Sequence, residues 1–376
     1  MEEFYFDNST ATSPFSCILD QMHSLQKEYW ASTGSLHRLG QQQHTPLLTA
    51  KKKIFALLGA SDLEGFYFSS SGAEAISQVF FSHYFNCVKE TGKTHFLASD
   101  MEEAPCLLSL KRMEKWGCSA KTLPVNKYGQ LTKEVLEEGI RPRASLLSIS
   151  WANGLTGVIH PLEDIKEVCK KKNISLHLDV STVVGKNYFT FQDLDVDYLT
   201  FDGSLFHAPR GSAGTLVKSS TPFAPFTVGE FSEPTVHLVA LAEALEMAAQ
   251  NFDHVCTEIG RLRDRFEQNI RSSLADVFLP FEEADRVPTI SVLSFPSIFN
   301  EAFAYLLHSR GVYVSIGGGR HQKLSHLMHL CNFERRIAQG ALSFSFAYDT
   351  SEKEVDLVSE IILDTYKKLI KTSRAL

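Results

Sequence analysis

The stretch DYLTFDGSLFHAPRGSAGTLV (197–217) decides how the chain is read. An apolar, β-rich run ends at Phe201, a glycine-containing turn follows, and 213–217 reads as a second strand. Upstream, FYFSSSGAEAISQVFF (66–81) predicts a strand over 66–68, a turn over 69–72 and a helix from Ala73. A Ser/Gly turn entering a helix leaves backbone N–H groups free at the positive end of the helix dipole, which suits a phosphate; a serine-capped strand-to-helix turn reads the same way. Strand and helix then alternate over 95–98, 104–116, 119–123, 131–138, 145–150, 161–172 and 174–178. Such alternation predicts an α/β fold, a mostly parallel sheet with helices on both faces. Ligands in these sheets bind beyond the C-terminal ends of the strands, so the loops WANGLTG (151–157), DVSTVVG (179–185) and FDGSLFHAPRG (201–211) are expected to converge on one site.

The flanks complete the outline. Residues 1–12 read as an extended arm, 14–28 and 46–58 as amphipathic helices, with Thr45 as the cap of the second, and 32–40 as a polar loop. From Thr235 a helical stretch runs to about Ser273, followed by strands at 292–295, 312–315 and 342–346 and helices at 300–309 and 351–370. Two domains are expected: a large α/β domain over 1–234, including an N-terminal arm over 1–30, and a smaller α+β domain over 235–376 hung on the long helix. The 376 residues are 44% apolar and 22% charged, ordinary for a globular chain. A net charge of −7 leaves no basic excess for phosphate backbones and argues against nucleic acid. No run of about 18 apolar residues suits a membrane, and the acidic start MEEFYFDN is unlike a signal peptide, so a cytoplasmic location is expected. Seven scattered cysteines without CxxC spacing predict neither a disulfide framework nor a metal site.

Several segments, in order along nearly the whole chain, resemble the NifS-type cysteine desulfurases of the class V branch of fold type I PLP-dependent enzymes. They are YFDNSTAT (5–12), GSLHRLG (34–40), SSGAEA (70–75), HLDVSTVVGK (177–186), the opening stretch 197–217 and SFSFAYDTSEKEVD (343–356). The resemblance implies a fold type I PLP-dependent transferase architecture, PLP as cofactor and a homodimer. Ser71, Gly72 and Ala73 fall in the phosphate turn, and Asp179, in the His-x-Asp motif, where an acid holds the pyridinium nitrogen protonated. Asn153 matches a residue that the family keeps.

Other positions depart from the pattern. Leu205 stands where the Schiff-base lysine belongs and Ser204 where a histidine precedes it. Leucine carries no nucleophile, so no internal aldimine forms there. Lys186 and Lys218 are the nearest alternatives in sequence, and both read as surface lysines. Asp202 replaces a phosphate-donating serine. At about 4 Å and an effective dielectric of about 20, each unit pair of like charge costs about 4 kcal/mol, against at most about 2 kcal/mol from a helix N-terminus. A simple turn hydrogen bond is the other reading of Asp202. Glu103 stands where a histidine stacks on the ring, Gly154 where an asparagine meets the ring hydroxyl, and Thr182 where a glutamine lies. In YVSIGGGRHQKLS (313–325), Arg320 takes the place of the persulfide cysteine. With His321 it reads as an exposed basic loop, or else as an anion site. Cys331 reads as core, Ser343 replaces the carboxylate-binding arginine, and Ser232 matches a threonine that reaches the neighbouring subunit.

Three functional readings follow. The first is a degenerate desulfurase homologue kept as a binding or scaffold protein, pairing with an active desulfurase or an iron–sulfur assembly partner. The second is a divergent PLP-dependent desulfurase or aminotransferase that takes its lysine from elsewhere. The third is an enzyme without PLP, built on an acidic cleft of Asp179, Asp202 and Glu103.

Overall fold

In the computed structural model residues 2–227 and 233–375 are described, the last four by main chain alone. The chain starts with a short strand, β1 (Phe4–Tyr5), and then builds a seven-stranded sheet from β2 (Gly65–Ser69), β3 (His95–Ser99), β4 (Ser119–Leu123), β5 (Ala144–Ser150), β6 (Ser175–Asp179), β7 (Tyr198–Asp202) and β8 (Ala213–Val217). Its strand order is β2-β8-β7-β6-β5-β3-β4. The run from β7 to β4 is parallel, whereas β8 pairs antiparallel with both β7 and β2. The stretch 197–217 is thus the hairpin at which the sheet reverses direction. Every residue of β7 and β8 is buried, as helices on both faces require. Helices Gly72–His83 and Ala104–Lys115 cover one face around Phe80, Phe96 and Leu110, and Leu162–Lys172 and Thr235–Gln250 belong to the larger core around Leu147, Leu199 and Leu241.

The second half adds β9 (Ile290–Ser294), β10 (Val312–Tyr313) and β11 (Ala341–Ser345). β9 and β11 pair antiparallel, under helices Gly260–Ser273 and Glu352–Ala375. β1 pairs with β10 in parallel, and Phe4 and Phe6 pack among Phe266, Phe344 and Phe346. The beginning of the arm therefore belongs to the C-terminal core, although sequence placed it with the first domain: local pattern carries no information about which distant core receives two phenylalanines.

Two further expectations are corrected. The helix His44–Leu57 begins from Gln43, leaving Thr45 inside its first turn. The stretch expected as one helix from Thr235 breaks after Gln250, and a π-turn at Val255–Ile259 intervenes before Gly260–Ser273.

Candidate functional site

Parallel strands that end together place their last residues side by side. Asp179 closes β6, Asp202 closes β7, and Ser150, the end of β5, is in register with Asp179. Glu103 lies beyond β3 as the cap residue of helix Ala104–Lys115. Onto this edge comes the loop after β10. Gly317, Gly318 and Gly319 all have positive φ, 80°, 108° and 63°, and turn the chain so that Arg320 enters between the three acids. Its Nε donates to Glu103, Nη1 to Asp202 Oδ2 at 3.0 Å and Nη2 to Asp179 Oδ2 at 3.3 Å. The side chain of Arg320 is 16% exposed, those of Glu103 and Asp179 4%. A planar fork with five donors suits three acceptors at different angles better than a lysine ammonium does.

The main chain holds the plug as well. Ala104 N donates to Arg320 O at 2.8 Å. Gln322 Nε2 donates to Asp100 O and Glu102 O at 2.7 and 2.9 Å. His321 sets Nδ1 3.3 Å from Glu103 Oε1 and Nε2 3.3 Å from Ser9 O. Gly154 makes room for this: a Cβ there would lie 2.5 Å from His321 Cε1 and 2.8 Å from Glu103 Oε1.

Asp202 occupies the place the sequence reserved for an anion. Its Oδ2 accepts from Gly72 N, the first residue of helix Gly72–His83, at 2.9 Å. Its Oδ1 accepts from Ser204 N at 3.0 Å and Ser204 Oγ at 2.7 Å. A carboxylate at a helix N-terminus satisfies a free N–H and is favoured by the dipole. Ser181 ties the two strand-end acids together, donating from N and Oγ to Asp179 Oδ1 and accepting from Asp202 N.

Burial and pairing pull the acids apart. Burial pushes Asp179 up to about 6 in spite of Arg320. Burial also raises Glu103, but Arg320 and His321 outweigh it and hold that carboxyl at about 2. Glu102, 2% exposed and bonded to Ser150, is raised well above the usual carboxylate range by burial. Arg320 loses from burial and gains more from Glu103, Asp179 and Asp202, so it stays protonated.

The structure thus brings Gly72, Glu103, Asp179, Asp202 and Ser204 to one place, with Arg320 at its centre. It corrects the reading of Arg320 and His321 as an exposed basic loop: His321 is 4% exposed, because three carboxylates compensate its neighbour's charge. The acidic cleft is likewise not open to an outside cation, since the chain supplies its own. Among the described residues no group of three His, Cys, Asp or Glu is arranged to hold a metal.

The remaining residues are committed elsewhere. Ser71 caps its helix by accepting from Glu74 N, and with Ala73 lines the outer mouth beside Arg320. Asn153 folds its own loop, accepting from Leu155 N and Thr156 N and donating to Met101 O. Thr182 is buried in the turn after β6. Ser343 donates to Leu155 O. Cys331 is core, its thiol pushed up to about 12 by burial. Ser232 lies outside the described residues. Leu205 is 1% exposed and lines a separate cavity. Lys186 lines that cavity too, which corrects its reading as a surface lysine, whereas Lys218 pairs with Asp195 at the surface. Sequence reasoning missed the Arg320–Asp202–Gly72 arrangement. The available signal was that, of the residues singled out in sequence, Arg320 is basic while Glu103, Asp179 and Asp202 are acidic.

Residues 4–358 match the model of the aminotransferase class V family. The chain is 26% identical to a cysteine desulfurase of Nostoc sp. over 98% of its length and 94% of the relative's. It is 27% identical to the cysteine desulfurase NifS of Azotobacter vinelandii, over 95% and 91%. Among solved structures, a NifS-like protein superposes with a TM-score of 0.89 at 26% identity, covering 96% of this chain and 99% of that one.

Proposed function

Because this chain belongs to the aminotransferase class V family, we propose that it is a cysteine desulfurase-like protein that has left the family's reaction and serves as a non-catalytic binding or scaffold protein. The carrying observation is Arg320, bound at once to Glu103, Asp179 and Asp202. The family is PLP-dependent, and the residues present here do not fit that cofactor. The acid meant for the pyridinium nitrogen is paired with a guanidinium, and the helix N-terminus meant for the phosphate is bonded to Asp202. A phosphate dianion would have to displace a carboxylate that cannot move far from the end of β7, at a cost of about 4 kcal/mol for each like-charge pair held near 4 Å. Leu205, at the position of the Schiff-base lysine, offers no amine.

A binding role agrees with a homodimer, and with pairing to an active desulfurase or an iron–sulfur assembly partner. Trp30 and Leu36, 70% and 91% exposed, offer apolar surface for such contacts. Light scattering of the purified chain is expected to give twice the 42.1 kDa chain mass. Among the described residues no helix is long and apolar enough to cross a membrane, and we place the protein in the cytoplasm.

The deciding experiment is addition of PLP, borohydride reduction and intact-protein mass, alongside a sulfide-release assay with cysteine. No reduced PLP adduct and no sulfide are expected. A stoichiometric adduct, or sulfide released by the isolated chain, overturns the reading.

A further inference from the structure

Behind Leu205 lies a cavity of about 40 Å³, walled by residues of the N-terminal arm, of the turn after β6 and of β11. Its lining is largely apolar, including Phe15, Val184, Leu205 and Phe346, and among the described residues contains no Asp or Glu. At roughly 10–15 Å³ per water by the same measure, it has room for about three waters, or for a carbonyl compound of two or three carbons.

Lys186 is the cation of this wall. Its Nζ donates to Leu205 O at 3.3 Å, and among the described residues no carboxylate pairs with it. That sets it apart from Lys53, held between Glu243 and Glu246, and from Lys218 on Asp195. The titratable groups around Lys186 are His207 and Tyr348 in the same wall and Cys256, whose thiol donates to Lys186 O at 3.6 Å. His207 is itself lowered by burial, so its ring adds little charge. With no acid among the described residues to offset it, burial brings Lys186 down to about 8, which raises the share of free amine near neutrality above that of an ordinary lysine. Ser9 stands in the wall as well, and among the described residues its buried hydroxyl has no hydrogen-bond partner.

We propose that Lys186 and this cavity form a capture site for small aldehydes. The amine nitrogen adds to the carbonyl carbon and a C=N bond forms. The carbonyl oxygen departs as water, taking both amine protons. The cavity sets the size limit, admitting two- or three-carbon carbonyls and excluding an aromatic aldehyde such as PLP.

The test uses the full chain with acetaldehyde and cyanoborohydride, the ethylated lysines being located by peptide mass. At pH 7.5 Lys186 is expected to be labelled at least ten-fold faster than Lys323, a residue whose side chain is 69% exposed. Its rate should level off above pH 8, while that of the exposed lysines continues to gain. Benzaldehyde should leave Lys186 unlabelled, and Lys186→Arg should remove the fast site with the circular dichroism spectrum unchanged. Labelling of Lys186 no faster than Lys323, or equally fast with benzaldehyde, overturns the proposal, and the wild-type comparison decides even where the variant misfolds. Reductive attachment of PLP at Lys186 would overturn both the size limit and the proposed function; slow acetaldehyde labelling without PLP attachment sinks the capture site alone.

Discussion

Arg320 is the residue on which the site turns, because its removal leaves Glu103, Asp179 and Asp202 facing one another without a cation. Deleting one partner of a buried ion network costs about 3–5 kcal/mol. Arg320→Ala should therefore lower the unfolding free energy by that amount, read as a lower urea midpoint at unchanged m-value, and Arg320→Lys, a single point charge, should recover only part. The acids also make stability depend on pH. Asp179 titrates at about 6 in the folded chain, above its unfolded value of 3.8, so the folded state holds the extra proton and stability falls as pH rises from about 4 to 6. Glu103, at about 2 against 4.5 unfolded, works the other way and adds stability as pH rises from about 2 to 4.5. Asp179→Asn should flatten the upper limb and spare the lower one, as read from urea midpoints across that range.

At the scale of elements, the site depends on turns that only glycine allows. Gly317 has φ of 80°, and a Cβ on it would stand 2.1 Å from Gln322 O, a backbone atom that cannot yield. Gly317→Ala should therefore loosen the loop, with faster amide exchange at Ala104, whose N–H donates to Arg320 O. Gly154→Ala meets side chains instead, at His321 and Glu103, and overpacking of this kind costs about 1–3 kcal/mol. Thermal unfolding should show the loss, and the additional change His321→Ala should restore part of it by clearing the closest atom.

For the whole molecule, the N-terminal arm stitches the two ends of the chain. Phe6 is 3% exposed and lies edge-on to Phe346, ring centroids 5.1 Å apart. Ser345 N donates to Phe6 O, and Asn8 Nδ2 to Ser345 O. Phe6→Ala should cost about 3–5 kcal/mol, and its structural effect should appear at β11 rather than in the seven-stranded sheet, as chemical-shift or exchange changes would report.

The alternation of strand and helix, the hairpin at 197–217 and the helix entered at Gly72 were all legible in the sequence, because each follows from a local period or a turn residue. So were Asp179 and Asp202 as neighbours, since parallel strands that end together align their last residues. The identity of their counter-ion was not legible. Arg320 follows Glu103 by 217 positions in the chain and Asp202 by 118, and a Gly-Gly-Gly-Arg-His segment alone has the pattern of a solvated loop. Whether a charge can be buried depends on what surrounds it, and only the folded chain brings three carboxylates around one guanidinium. The same holds for Lys186, buried in a wall drawn from distant parts of the sequence in which, among the described residues, no acid stands.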